Sequence, residues 1–147
     1  MKIVEYNGTQ EHFEKACEFI AKLFEYSWYN QEDINFHICA KIFIEMEKSN
    51  NPFAFFVKSD DDKEYHAFVL GFNTPSSLQV EMLYIEVEQR KNTALLMLIA
   101  NAINTKAKEQ KKEYIDFKVS NVDLLDVFRR NNKYEYYYCM FRRKTWD

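Results

Sequence analysis

The sequence predicts a single α/β domain in which six strands and four helices follow the order β, α, α, β, β, β, α, β, α, β. Three observations lead there. Segments of period-two alternation, rich in β-branched and aromatic residues, take turns with segments whose apolar residues recur three and four apart. A chain of 147 residues is about one domain and can bury a real core. Its 47% hydrophobic, 17% aromatic and 29% charged residues are the balance of a globular protein, which sets aside the disordered and membrane-spanning classes.

The elements follow in order. MKIVEY alternates and reads as a first strand, ended by the Asn7-Gly8 turn signal. Thr9 then caps a helix with Glu11 in its first turn, and Phe13, Ala16, Cys17, Ile20, Leu23, Phe24 and Ser27 form its buried stripe. After a break near Tyr29 to Gln31, a second helix runs to Lys48 with Ile34, Ile38, Ile42 and Met46 inward, and Pro52 forbids its continuation. PFAFFVKS and EYHAFVLGFN flank Asp60-Asp61-Asp62 as a hairpin with a charged, solvated tip. Thr74 to Ser77 makes the next turn, and Val80 to Val87 is the fourth strand. The third helix spans Asn92 to Glu109, filled by Leu95, Leu96, Leu98, Ile99, Ala102 and Ile103, with Lys111 and Lys112 beside its negative end. YIDFKVS is a fifth strand, Ser120 to Arg130 a short fourth helix with a capping-box start, and YEYYYCMFRRK an aromatic last strand.

Several function classes are disfavoured by composition. A net charge of -3 argues against a generic nucleic-acid binder, and the basic runs Arg129-Arg130 and Arg142-Arg143-Lys144 read as solvated ends. Cys17, Cys39 and Cys139 are widely spaced and odd in number, which reads as reduced thiols in a cytoplasmic protein. His12, His37 and His66 lack ligand spacing, so no metal is expected. The apolar runs are too short to span a bilayer and no leader opens the chain, so no membrane partner is expected. Only 2 glycines and 2 prolines accompany abundant Lys, Asn, Ile, Phe and Tyr, a composition that suggests a low-GC bacterium or its phage as source.

The stretch from Leu78 to Ala107 carries the chemistry. A strand there passes through a short polar segment into a long amphipathic helix, and the free N–H groups of a helix start make an anion site. It resembles motif A of the GNAT superfamily of N-acetyltransferases, whose signature is Gln or Arg, two residues, Gly, one residue, then Gly or Ala. The best fit is Gln89, Asn92 and Ala94 in QRKNTA, with Asn where the family has glycine; a rival register, Arg90, Thr93 and Leu95, keeps the first residue and neither small one. The element order is also similar to that fold over nearly the whole chain. The resemblance implies one GNAT-like domain over residues 1–147, with a mixed, mainly antiparallel sheet of about six strands flanked by four helices.

The resemblance further implies acetyl-CoA or coenzyme A as cofactor and transfer of an acetyl or related acyl group to a primary amine, on a small molecule or a protein. The pantetheine arm would lie along Ile85 to Val87, and the N–H groups of Arg90, Lys91, Asn92, Thr93 and Ala94 would face the pyrophosphate, with Asn121 bonding the arm. An ammonium has no lone pair, so a carboxylate base is needed, and Glu81 matches where many family members carry one. Glu86 is the reserve, and strand parity sends its side chain to the opposite face from Glu81. At the position of the family tyrosine that protonates the leaving thiolate stands Phe128 or Arg129, so a hydroxyl could come only from the last strand, from Tyr134, Tyr136, Tyr137 or Tyr138, of which Tyr134 is the catalytic candidate. A homodimer is the expected assembly. The alternative reading is a catalytically silent member of the fold kept as a binding or regulatory protein, phage-encoded on the compositional hint.

Overall fold

The computed structural model describes residues 1–25, 44, 48, 52–118 and 130. Within them lie strands β1 (Lys2–Glu5), β2 (Phe53–Lys58), β3 (Tyr65–Asn73), β4 (Ser77–Ile85) and β5 (Tyr114–Phe117), and helices α1 (Gln10–Glu25) and α2 (Thr93–Glu109). A 3₁₀ turn, Val87–Gln89, links β4 to α2. The expected second and fourth helices and the last strand fall almost wholly outside the described residues. One trace of the second helix is described, a bond from Lys48 N–H to Ile44 O at 3.2 Å, one helical turn apart.

The sheet runs β1-β2-β3-β4-β5, antiparallel except for β4 and β5, which are parallel. Alternation sends neighbouring residues to two cores. Phe56, Phe68, Leu70 and Tyr84 meet Ala16, Cys17, Phe19 and Ile20 of α1 on one face. Phe55, Val57, Val69, Leu78 and Val80 meet Leu95, Ile99, Ile103 and Ala107 of α2 on the other. Among the described residues each face carries one helix, and most apolar residues of β2 and β3 are buried on both sides.

Local chemistry explains the element starts. Asn7 Oδ1 accepts from Thr9 N–H at 3.0 Å, Gly8 supplies the turn's φ of 75°, and Thr9 Oγ1 caps α1 by accepting from His12 N–H at 3.3 Å. His12 and Phe19 are buried in α1 although the expected stripe omitted both, because the helix seats deeply enough to bury a wider face. Asn92 caps α2 through its side chain, and its other end follows a Schellman pattern. Lys112 N–H reaches Ala107 O at 2.9 Å and Lys111 N–H reaches Lys108 O at 3.0 Å, with Lys111 left-handed at φ 55°. Leu96, expected inside, is exposed.

A β-bulge sets the geometry of β4. Leu70 pairs with Met82 and Gly71 with Val80, so Glu81 is an extra residue with no partner on β3. Gly71 makes this packing feasible, since a Cβ there would stand 2.2 Å from Gln79 O and 2.6 Å from the Phe53 ring.

Candidate functional site

The bulge lies next to the parallel β4–β5 pairing that the described residues show. β4 and β5 pair from Ser77–Tyr114 to Val80–Phe117, and a last bond runs from Lys118 N–H to Val80 O at 3.1 Å. Beyond it β4 continues to Ile85, and its residues Met82 to Ile85 pair with β3. From Ile85 the chain passes through the Val87–Gln89 turn into α2.

The bulge also rearranges the carboxylates. Strict parity would put Glu81 and Glu86 on opposite faces, yet both lie on the α1 side. Leu78 and Val80 pack with α2, whereas Met82 and Tyr84 pack with α1, which shows that the extra residue has inverted the alternation. Glu81 Oε1 accepts from Lys118 Nζ at 2.6 Å and its Oε2 from Gln79 Nε2 at 3.0 Å. Glu86 Oε1 accepts from Lys22 Nζ of α1 at 2.6 Å, and its Oε2 meets the Tyr84 hydroxyl at 3.4 Å. Lys22 also lies 3.3 Å from Glu18. Burial pushes the Lys22 ammonium down, but its bonds to Glu86 and Glu18 outweigh that and hold it above its ordinary value. Burial opposes ionisation of Glu18 too, and Lys15 and Lys22 overcome it, keeping that carboxyl below the usual range.

The cradle between β4 and α2 is smaller than expected. Val87, expected on the strand, stands in the 3₁₀ turn with 53% of its surface exposed. Ile85 remains in β4 opposite Ala67, and its carbonyl accepts from Arg90 Nε at 3.1 Å. Two of the expected N–H donors are already committed within the turn, Arg90 to Val87 O at 3.4 Å and Asn92 to Gln89 O at 3.0 Å. Those of Lys91, Thr93 and Ala94 have no acceptor among the described residues. Thr93 and Ala94 open α2, where the helix dipole favours an anion.

Asn92 stands where the family has glycine, and its φ of -79° needs no left-handed freedom. Its Oδ1 accepts from Leu95 N–H at 3.2 Å and its Nδ2 donates to Gln89 Oε1 at 3.0 Å. The substitution thus exchanges open backbone for a firm helix cap. The Arg90 guanidinium lies 5.7 Å from the Tyr84 ring centre, over the strand end. Asn121, Tyr134, Phe128 and Arg129 lie outside the described residues.

Lys22, Lys118 and Gln79 are the site-facing residues that sequence reasoning missed. They carry no motif, and only the bulge and the packing of α1 bring them to the carboxylates. Elsewhere, Tyr65 donates to Glu11 Oε1 at 2.7 Å, and Lys58 stands 4.4 Å over the Tyr65 ring, at the hairpin end of the same face. The Asp60 to Asp62 tip is bound to β1 by Lys2 to Asp62 and the N-terminal ammonium to Asp60, both at 2.7 Å. Among the described residues no helix is long and apolar enough to cross a membrane.

No protein-family model and no curated protein matches the sequence. Solved structures do. A protein described as a possible acetyltransferase from Clostridium difficile 630 is similar at TM-score 0.73 and 14% identity, over 99% of this chain and 98% of its own. The aminoglycoside N-acetyltransferase AAC(6')-Iy, solved with coenzyme A, is similar at TM-score 0.71 and 15% identity, over 97% of this chain and 93% of its own. The aminoglycoside 6'-N-acetyltransferase AAC(6')-IG from Acinetobacter haemolyticus is similar at TM-score 0.71 and 16% identity, over the full length of both. At these identities the likeness is one of fold, which this chain shares with those three proteins.

Proposed function

We propose that the chain transfers an acetyl or related acyl group from acyl-CoA to a primary amine. The observation that carries this reading is the passage of β4 through a short turn into a helix start whose Thr93 and Ala94 N–H groups have no acceptor among the described residues. Such a helix start offers donors and a positive end to a pyrophosphate. Lys91 adds a cation at the same turn, and the small side chain of Ala94 leaves room for close approach. AAC(6')-Iy, which shares the fold, was solved with coenzyme A, and that supports the same donor here.

Glu81 is the proposed base. It stands at the bulge on the α1 side of β4 and would take the proton from an acceptor ammonium, once Lys118 yields its place on Oε1. Glu86 shares that face, so it competes for the role instead of being excluded by orientation. The acceptor class supported by the named neighbours is a small-molecule amine, since two of them are aminoglycoside acetyltransferases.

The test is thermal stability with coenzyme A. At about a hundred times its dissociation constant the ligand should stabilise the folded chain by about 2.7 kcal/mol. Ala94→Glu should abolish the shift, because it adds like charge beside the phosphates. No shift at millimolar ligand with folded protein would overturn the proposal. With an amine acceptor, Glu81→Gln should lower turnover about 10²- to 10⁴-fold and leave coenzyme A affinity unchanged. An equal loss in Glu86→Gln alone would transfer the role to Glu86.

A further inference from the structure

We propose that His12 is an acid-operated latch on the corner between β1 and α1, whose protonation releases Asn7 N–H and opens that corner and the first turn of α1 while the sheet and α2 stay folded. The inference is independent of the acyl-transfer reading and uses a buried titratable group that the reading leaves idle.

His12 lies in the first turn of α1 and is 5% exposed. Its Nδ1 accepts from Asn7 N–H at 3.2 Å, which puts the proton of the neutral ring on Nε2. The backbone of the same residue grips the same corner. Thr9 Oγ1 accepts from His12 N–H at 3.3 Å and donates to Asn7 Oδ1 at 2.7 Å. One residue therefore holds the passage from β1 to α1 at two of its atoms.

As a cation the ring has no place there. Phe56 of β2 meets it edge-on at 4.8 Å, Tyr65 of β3 at 6.3 Å, and Tyr6 lies tilted at 6.0 Å. The charged groups that act on it are Glu11 of α1 and Lys58 of β2. Glu11 already accepts from the Tyr65 hydroxyl at 2.7 Å, and Lys58 stands 4.4 Å over the Tyr65 ring, where it repels an imidazolium. Burial is the main cause that holds the ring below its ordinary value of 6.5; Glu11 opposes it and Lys58 adds to it.

Protonation turns the Nδ1 acceptor into a donor that faces the Asn7 donor. A flip of the ring gives no relief, since both nitrogens of an imidazolium carry hydrogen. The charged ring must reach water, and the corner is the part that can yield. Residues 7–11 are exposed, so moving them uncovers little apolar surface, whereas Ala16, Cys17, Phe19 and Ile20 anchor the rest of α1 in the aromatic core. The latch is closed above pH 6.5. Below it the open form takes up the proton, and its population rises about tenfold per pH unit until the folded value is reached.

The experiment follows amide hydrogen exchange of the full chain by NMR from above pH 6.5 to about pH 5, with intrinsic exchange rates divided out. Protection at Asn7, His12 and Phe13 should fall about tenfold per pH unit below 6.5, while Val69 and Ile99 keep theirs. In His12→Gln, whose amide oxygen can still accept from Asn7 N–H but cannot titrate, protection of the corner should not change with pH. In the wild type, ring nitrogen chemical shifts at neutral pH should show Nδ1 bare and Nε2 protonated. A corner whose protection is independent of pH, or the same dependence in His12→Gln, would overturn the latch. Parallel loss at Val69 and Ile99 would mean global unfolding and overturn it too, as would a neutral ring protonated on Nδ1, a result that does not depend on the variant folding.

Discussion

The two faces of the sheet are built from different materials. Against α2 the core is mainly aliphatic, with Val57, Val69, Leu78, Val80, Leu95, Ile99 and Ile103. Against α1 it is aromatic, with Phe19 stacked on Phe68 at 6.3 Å and tilted on Tyr84 at 5.5 Å, while Phe56 meets Phe68 at 5.0 Å and His12 at 4.8 Å. Glu81–Lys118, Glu86–Lys22 and Tyr65–Glu11 lie on the aromatic side, whereas Lys106–Glu5 lies on the α2 side. Aromatic rings bury large area yet tolerate cations and hydroxyls at their edges and faces, which branched aliphatic chains do not. One face thus holds the fold together, and the other combines packing with the groups capable of proton chemistry.

The largest expected effect comes from truncating the aromatic face. Phe68→Ala should destabilise the protein by about 3–5 kcal/mol, against about 0.5–1.5 kcal/mol for Ile99→Val on the other side. Denaturant midpoints will measure both, and a smaller loss at Phe68 than at Ile99 would mean that the aromatic layer is not a packed core. Gly71→Ala strikes the bulge between the faces. A backbone carbonyl 2.2 Å from the new Cβ cannot move aside as a side chain would, so a loss of about 1–3 kcal/mol is expected. An unchanged midpoint would show that close approach does not hold the bulge.

Smaller effects sharpen the same contrast. Lys111→Gly relieves a left-handed lysine at the end of α2 and should stabilise the protein by up to about 1 kcal/mol, less the entropy of the added glycine, with coenzyme A binding unchanged. A loss of stability would show that the Lys111 side chain contributes more than its strain costs. On the aromatic face, burial holds the His12 imidazole below its ordinary value of 6.5, outweighing Glu11, which raises it. A depressed histidine binds fewer protons folded than unfolded. Its contribution is therefore complete above pH 6.5 and lost as pH falls toward the folded value. His12→Gln should flatten stability in that interval, where Glu11 and Glu18, both lowered from 4.5, do not yet titrate. An identical slope in the variant would assign the dependence elsewhere.

Residue chemistry alone was enough for several local features that depend on neighbours within a few positions, though not for the 3₁₀ turn at Val87–Gln89. Asn7-Gly8 turns the chain and Thr9 starts α1, the acidic tip closes the hairpin, and Asn92 starts α2. The apolar spacing of α2 predicted Leu95, Ile99 and Ile103 inside, and the element order pointed to the acetyltransferase fold that the solved neighbours share. The site was legible only in outline. Glu81 and the strand-to-helix passage were visible, while the placement of both glutamates on one face was not.

That difference has a physical cause. Capping, turn formation and helical spacing act within one or two turns of chain, so residue type and order decide them. The face of a strand residue depends on an unbroken two-residue alternation, and whether the alternation breaks is decided by the strand opposite. Here Gly71 of β3 lets Gln79 O come close enough for β4 to hold Glu81 as an extra residue. The alternation inverts, both carboxylates turn toward α1, and Lys118 and Lys22 reach them from distant parts of the chain. The sequence by itself determined which groups are available and which elements carry them; only the cross-strand packing of the tertiary structure decided which of those groups meet.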